Sequence, residues 1–106
     1  MDWNTQEKQN LVTAILSLKT SDEVESFLRD LLTTGEIEEF TKRLEAAKML
    51  ASGFSYTAVE KKTGFSSTTV ARVSKWLNNG QGGYKTIIDR MHHHAFTPNK
   101  KRVALM

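Results

Sequence analysis

Hydrophobic residues recur at helical spacing through the first half of the chain, in segments that each begin with a capping signal. This signal pairs a short polar residue with a glutamate three positions later, and the pairs are Asn4 with Glu7, Thr20 with Glu23, and Thr33 with Glu36. The second segment follows the i, i+3, i+4, i+7 pattern of an amphipathic helix, through Val24, Phe27, Leu28, Leu31 and Leu32. The third segment covers residues 36–52, and Gly53 is a suitable stop. We therefore predict three helices before residue 54.

A different pattern, two short helices joined by a glycine turn, occupies residues 55–78. Ser55 and Ser66 are suited to cap the two helices. Gly64 lies between the helices and can adopt the positive φ that a steep turn requires. Four apolar residues have the spacing that would pack the two helices together, namely Val59, Phe65, Val70 and Val73. This layout is typical of a helix-turn-helix.

The rest of the pattern completes an all-α fold of about six helices. No segment alternates as a β-strand would, and the break NNGQGG precedes a last amphipathic segment at residues 84–91. We expect one helical domain over residues 1–94 and a flexible basic tail over residues 95–106. The first three helices carry wide apolar faces, which favours a homodimer. A compact monomeric bundle is the alternative.

Charge is distributed unevenly along the chain. Residues 1–40 hold nine acidic and three basic side chains, whereas residues 41–106 hold three acidic and twelve basic ones. A basic half suggests a polyanionic partner, although a solvated basic surface would have the same composition. The chain has no cysteine, no apolar run long enough to cross a membrane and no signal-peptide core. We therefore expect a soluble, cytoplasmic protein without contact with a membrane.

The second helix of the helix-turn-helix offers the chemistry for reading double-stranded DNA. Its N-terminal residues would reach base edges in the major groove, where hydroxyls can donate or accept and methyl groups can touch thymine. We name the candidates for this contact the base-edge set: Thr57, Ser67, Thr68 and Ala71. Basic residues around them could neutralise phosphates, and we name these the phosphate set: Lys61, Lys62, Arg72 and Lys75.

Other chemistry finds little support in the sequence. His92, His93 and His94 invite a metal interpretation, but consecutive helical residues point about 100° apart and cannot converge on one ion. We predict no metal site and no cofactor. No phosphate-binding glycine loop, nucleophile elbow or paired carboxylates are present, so we predict that the protein is not an enzyme.

The run LLTTGEIEEFTKRLEAAKMLASGFSYTAVEKKTGFSSTTVARVSKWL, residues 31–77, resembles the Trp repressor family. In helix layout the resemblance extends over residues 5–93, and the whole chain is similar to the Trp-repressor-related proteins of the YerC/YecD type. The resemblance implies an intertwined homodimer of six-helix subunits. It also implies binding to a pseudo-palindromic operator with half-sites about one helical turn apart.

The resemblance also defines a candidate effector pocket. Of the two family arginines that hold the tryptophan corepressor, one falls on Arg72 and the other on Lys42, which keeps the charge but loses the bidentate fork. A family glycine that leaves room for the indole falls on Val73, and the large Trp76 stands where the family has a small residue. These changes indicate that the protein fills the pocket itself, so we predict that tryptophan does not regulate it.

Together these observations predict a homodimeric, sequence-specific, DNA-binding transcriptional regulator. Repression by occlusion of the operator is the expected mode, because the sequence shows no effector domain. The alternative is a protein-interaction module that retains the fold without reading the DNA groove.

Overall fold

The computed structural model describes residues 1–95, except for the side chains of His94 and Ala95. The predicted tail at residues 95–106 therefore lies outside the described residues, apart from the backbone at its start. Every regular element in the described range is an α-helix, which confirms the predicted all-α class. The helices are α1 Gln6–Leu16, α2 Ser21–Leu31, α3 Thr34–Ala51, α4 Tyr56–Thr63, α5 Ser67–Asn79 and α6 Gly83–Ala95.

Side-chain caps determine where the first three helices begin. Thr20 and Thr33 behave as predicted, because their hydroxyls accept hydrogen bonds of 3.1 Å from the backbone N–H groups of Glu23 and Glu36. The Glu36 carboxylate also accepts from the Thr33 N–H at 2.9 Å, which completes a capping box. At α1 the prediction was wrong by one residue. The cap is Thr5, whose hydroxyl accepts from the backbone N–H of Lys8.

A glycine ends α3, as predicted. Gly53 has φ of +88°, in the left-handed region. The N–H of Phe54 donates to the carbonyl oxygen of Met49 at 3.0 Å, and the N–H of Gly53 donates to that of Leu50 at 3.1 Å. These two bonds form a Schellman motif, which satisfies carbonyl groups that the end of a helix leaves without partners. The chain then turns directly into α4.

The chain divides into two compact units, and the division falls within α3. The first unit is Met1–Glu38 and the second begins at Glu39. In the first unit α1 and α2 contain no buried residue, although α2 has the amphipathic pattern described above. Large apolar side chains on these two helices are exposed, among them Leu11, Ile15, Leu16, Val24 and Leu31. The single domain predicted over residues 1–94 stays a prediction.

The second unit contains the hydrophobic core. Its centre consists of small side chains from three helices, which are Ala46 and Ala47 of α3, Val59 of α4, and Val70 and Val73 of α5. Partly buried residues surround this centre, including Phe65, Tyr84 and Ile88. Helix α5 packs closely against α4 and α6. The core therefore holds the two helices of the predicted helix-turn-helix together, and α6 packs against the same core through Tyr84 and Ile88.

Several aromatic residues remain exposed in this chain. Trp3, Phe40, Phe54 and Trp76 each keep 41% or more of their surface accessible, although residues of this type are usually buried in a core or an interface. No helix in the described range is long and apolar enough to cross a membrane.

Candidate nucleic-acid interface

The turn between α4 and α5 has the geometry that the sequence predicts. Gly64 adopts φ of +77°, and its N–H donates to the carbonyl oxygen of Glu60 at 2.8 Å. Any residue with a Cβ at this position would have to adopt the left-handed region, which only glycine visits at low cost. The positive φ predicted for Gly64 is confirmed.

A buried threonine next to this glycine stabilises the turn, and the sequence reasoning did not identify it. Thr63 is only 5% exposed. Its hydroxyl donates to the carbonyl oxygen of Val59 at 2.7 Å and accepts from the backbone N–H of Phe65 at 3.2 Å. The side chain therefore connects α4 to the residue that follows the turn glycine. A short hydroxyl residue directly before a turn glycine is the signal that could have revealed it.

Ser66 begins α5 and leaves the first residues of the helix accessible. Its hydroxyl accepts from the backbone N–H of Thr69 at 3.2 Å and also bonds the Thr69 hydroxyl at 3.1 Å. This confirms the predicted cap. Since the Thr69 hydroxyl is engaged with the cap, the free hydroxyls of the first turn are those of Ser67 and Thr68, which are both exposed.

The buried and accessible residues of α5 lie on opposite sides of the helix. Val70, Val73 and Leu77 form the buried side. At about 100° per residue, Thr68 and Ala71 point away from this buried side. Ser67, one turn before Val70, lies at its edge. All three base-edge residues of α5 are exposed. The fourth member of the set, Thr57, is exposed on α4, opposite the buried Val59. The fold therefore presents the whole base-edge set to solvent.

The phosphate set borders the same accessible surface. Its four members are all exposed: Lys61, Lys62, Arg72 and Lys75. By helical position Arg72 and Lys75 lie one turn after Thr68 and Ala71 on the same side of α5. Lys61 shares the outer side of α4 with Thr57. Lys62 lies on the flank of α4. A surface of short polar residues with cations nearby is typical of DNA recognition. There, contacts with base edges select the sequence and contacts with phosphates fix the position of the protein.

The three residues of the candidate effector pocket occupy different environments. Val73 is fully buried with Ala46 and Ala47, whereas Lys42 and Arg72 are exposed. By helical position, the side of α3 that carries Ala46 and Ala47 is centred on Arg43 rather than on Lys42. The side chain at the position of the missing glycine is therefore part of the hydrophobic core.

Arg43 links α3 to α5 through aromatic rings. Its guanidinium carbon lies 5.7 Å from the centroid of the Phe40 ring and 5.9 Å from that of the Trp76 ring. The Glu39 carboxylate is 3.2 Å from Arg43 Nε. Burial raises the pKa of the Tyr84 hydroxyl on α6, and the positive charge of Arg43 opposes this rise. The sequence reasoning singled out Trp76 but not Arg43, whose spacing of i, i+3 from Phe40 was the available signal.

One of the histidines of α6 lies near a carboxylate. His93 Nε2 lies 3.6 Å from an oxygen of Asp89, one helical turn earlier, and both side chains are largely exposed. His92 is exposed as well, and the His94 side chain lies outside the description. Among the residues that the structure describes, no three acidic, histidine or cysteine side chains are placed to hold a metal ion.

This geometry defines a class of helical proteins. They contain a helix-turn-helix whose second helix carries an accessible polar surface. The chain belongs to the Trp repressor protein family, whose model matches residues 6–92. It is 41% identical over 85 residues to the uncharacterized protein YerC of Bacillus subtilis (strain 168), covering 80% of this chain and 82% of YerC. This confirms the resemblance described above. The family is one of DNA-binding regulators rather than enzymes.

Solved structures agree on the fold. A TrpR-like protein from Eubacterium eligens ATCC 27750 superposes with a TM-score of 0.80 at 40% identity, covering 85% of this chain and 93% of that one. A proposed Trp repressor from Staphylococcus aureus also gives a TM-score of 0.80, at 35% identity, covering 87% and 95% of the two chains. The Trp-repressor-like fold predicted from the sequence is therefore confirmed.

Proposed function

We propose that the protein is a sequence-specific, DNA-binding transcriptional regulator that reads double-stranded DNA through α4 and α5. The observation that carries this proposal is the division of α5 into a buried side, centred on Val70, Val73 and Leu77, and an opposite side of short polar residues. A helix that served only to pack the core would have no need of an accessible N-terminal turn of this composition.

In this proposal the N-terminal turn of α5 enters the major groove. The hydroxyls of Ser67 and Thr68 donate to or accept from base edges, and the Ala71 methyl group contacts a thymine methyl. Thr57 on α4 reaches the groove from the preceding helix. The phosphate set neutralises the backbone on either side, so a large share of the affinity is electrostatic and depends on salt.

The active form that we propose is a homodimer. In the first unit α1 and α2 expose large apolar side chains and bury none, and a second copy of the chain would cover such a surface. Two copies of α5 would then read two half-sites about one helical turn apart. We further propose that the dimer represses transcription in the cytoplasm by occluding its operator.

Regulation by tryptophan is not part of the proposal. The fully buried Val73 packs with Ala46 and Ala47, so the space that a glycine would leave is occupied. The indole of Trp76 already lies beside the Arg43 guanidinium. Side chains of the protein itself thus occupy the place that a bound indole would take.

Duplex binding tests the proposal directly. Fluorescence anisotropy with a random duplex should show binding at low salt whose affinity falls steeply as salt rises, and selection from a random pool should return a two-fold-related motif. Gel filtration checks the dimer separately. A folded dimer that binds no duplex at low salt would contradict DNA reading and favour the alternative, a protein-interaction module.

A further inference from the structure

We propose that Arg43 is a positioning residue that holds α5 in its reading orientation by contact between its guanidinium and the indole of Trp76. The inference rests on the proposed function, because it concerns how the reading helix is held in place. It assigns to α3 a part in DNA recognition that involves no contact with DNA.

The first support is the geometry of Arg43. Its guanidinium lies near two rings, that of Phe40 on its own helix and that of Trp76 on α5, at 5.7 and 5.9 Å from the centroids. An arginine within about 6 Å of an aromatic centroid is attracted by the ring quadrupole. The Glu39 carboxylate, 3.2 Å from Arg43 Nε, holds the side chain from the same helix. The guanidinium is therefore restrained by α3 and directed at α5.

The second support is the way in which α3 meets α5. In the described part of the chain α5 packs closely against α4 and α6, whereas α3 is not among its close backbone neighbours. The fully buried residues that α3 contributes to the core are the small Ala46 and Ala47, and the partly buried, apolar Met49 and Leu50 pack against that core. All four contacts are apolar, and apolar burial is non-directional, so it sets the rotation of a neighbouring helix less specifically than a directional contact does. Arg43 and Trp76 are long enough to bridge the two helices, so they can limit rotation that the core permits.

The third support is the position of Trp76 on α5. By helical spacing Trp76 lies between Val73 on the buried side and Arg72 in the phosphate set. It is 41% exposed, so the hydrophobic core alone does not immobilise it. A rotation of α5 that displaced Trp76 would move Arg72 and the base-edge residues together. A contact that immobilises the indole therefore also fixes the positions of Arg72 and the base-edge residues.

The experiment uses the full chain with Trp3→Phe, which leaves Trp76 as the single tryptophan. In this background Arg43→Ala and Arg43→Lys are compared with Lys48→Ala, which removes a positive charge from a different side of the same helix. Three quantities are measured: acrylamide quenching of Trp76 fluorescence, the Kd for duplex DNA, and the salt dependence of that Kd. Circular dichroism verifies that each variant is folded.

Arg43→Ala should increase the quenching of Trp76 and raise the Kd by about two- to fivefold, the range that an exposed cation–π contact supports. The salt dependence should stay unchanged, because Arg43 does not neutralise a phosphate. Arg43→Lys, which keeps the charge but not the planar stacking, should restore part of both signals. Lys48→Ala should leave Trp76 quenching unchanged.

Two results would overturn the proposal. One is unchanged quenching and unchanged Kd in Arg43→Ala. The other is a fall of about 1 in the salt slope, which would make Arg43 a phosphate contact. If the parent chain binds no duplex, the proposed function fails and the positioning role fails with it. The quenching data would then still show whether Arg43 and Trp76 are in contact.

Discussion

The hydroxyl of Thr63 donates a 2.7 Å hydrogen bond to the carbonyl oxygen of Val59 and accepts a 3.2 Å bond from the N–H of Phe65. Thr63 is the buried polar residue of the described core, and its bonds span the turn of the helix-turn-helix. Because both bonds converge on one oxygen atom, the orientation of α4 relative to the turn depends on this side chain.

Replacing Thr63 with valine should destabilise the protein by about 1–2 kcal/mol, because its buried bond to Val59 is lost and the partly buried N–H of Phe65 loses its acceptor. The shape of the side chain is nearly kept, so the loss reports the hydrogen bonds. Urea unfolding measures it. Thr57→Val makes the same chemical change at an exposed position of α4 and should cost less than about 0.5 kcal/mol. Equal effects of the two substitutions would contradict the role of Thr63.

Replacing Gly64 with alanine should destabilise the protein by about 1 kcal/mol or more, because φ of +77° strains any residue with a Cβ. A Cβ at this position meets nothing within 4 Å, so the cost is one of backbone conformation. Gly83→Ala is the matched control, since its Cβ also meets nothing and its φ is not positive. Thermal unfolding should show a lower Tm for the first variant and an unchanged or higher Tm for the second.

Thr68→Ala and Arg72→Ala should weaken DNA binding in different ways. Loss of the Thr68 hydroxyl should change the preferred sequence, with discrimination at one position reduced by about 1–3 kcal/mol. Loss of the Arg72 cation should weaken binding to all sequences and reduce the salt slope by about 1. Each variant serves as the control for the other in competition binding. If neither alters binding, the placement of α5 in the groove is wrong.

Tryptophan should leave the thermal stability unchanged. A ligand that binds the folded state at 100 times its Kd would add about 2.7 kcal/mol of stability, a large shift in a thermal melt. Since Val73 is buried and Trp76 already contacts Arg43, we expect no shift with millimolar tryptophan, with glycine as the control amino acid. A clear rise in Tm with tryptophan alone would show that the pocket opens.

Alkaline pH should destabilise the protein partly through Tyr84. Burial raises the pKa of its hydroxyl in the folded state. Between the unfolded pKa, about 10, and the raised folded pKa, the folded chain holds more protons than the unfolded chain. Stability therefore falls as pH rises through this window. Tyr84→Phe should reduce the fall in urea unfolding above pH 10, whereas Tyr56→Phe, at an exposed position, should not.

Arg43 lowers the same pKa, so its replacement by alanine should move tyrosinate formation at Tyr84 to higher pH. Absorbance titration in a Tyr56→Phe background, where Tyr84 is the only tyrosine, measures this directly. A titration midpoint that does not move would show that the charge of Arg43 does not reach Tyr84.

The sequence predicted the helices and the turn because their determinants are local. Capping needs only a hydroxyl at the right spacing, and Thr20, Thr33, Ser55 and Ser66 all cap as predicted. Positive φ at Gly64 follows from the steepness of the turn and the lack of a Cβ. Asn4 was a wrong choice because the adjacent Thr5 caps the helix without the paired glutamate; the residue three positions after it is Lys8.

Other features were decided by tertiary structure, because they depend on groups far apart in sequence. Local spacing can mark Thr63 as a turn residue and pair Arg43 with Phe40 on one helix. It does not show that Thr63 is buried or that the guanidinium of Arg43 reaches the indole of Trp76. The resemblance to a family pointed to Lys42, while packing turned the side of α3 that carries Ala46 and Ala47 towards the core. Six helices, the turn between α4 and α5 and the short polar start of α5 can all be derived from the order of residues. The residues that hold α5 in place could be found only in the folded chain, since contacts between helices depend on their relative rotation.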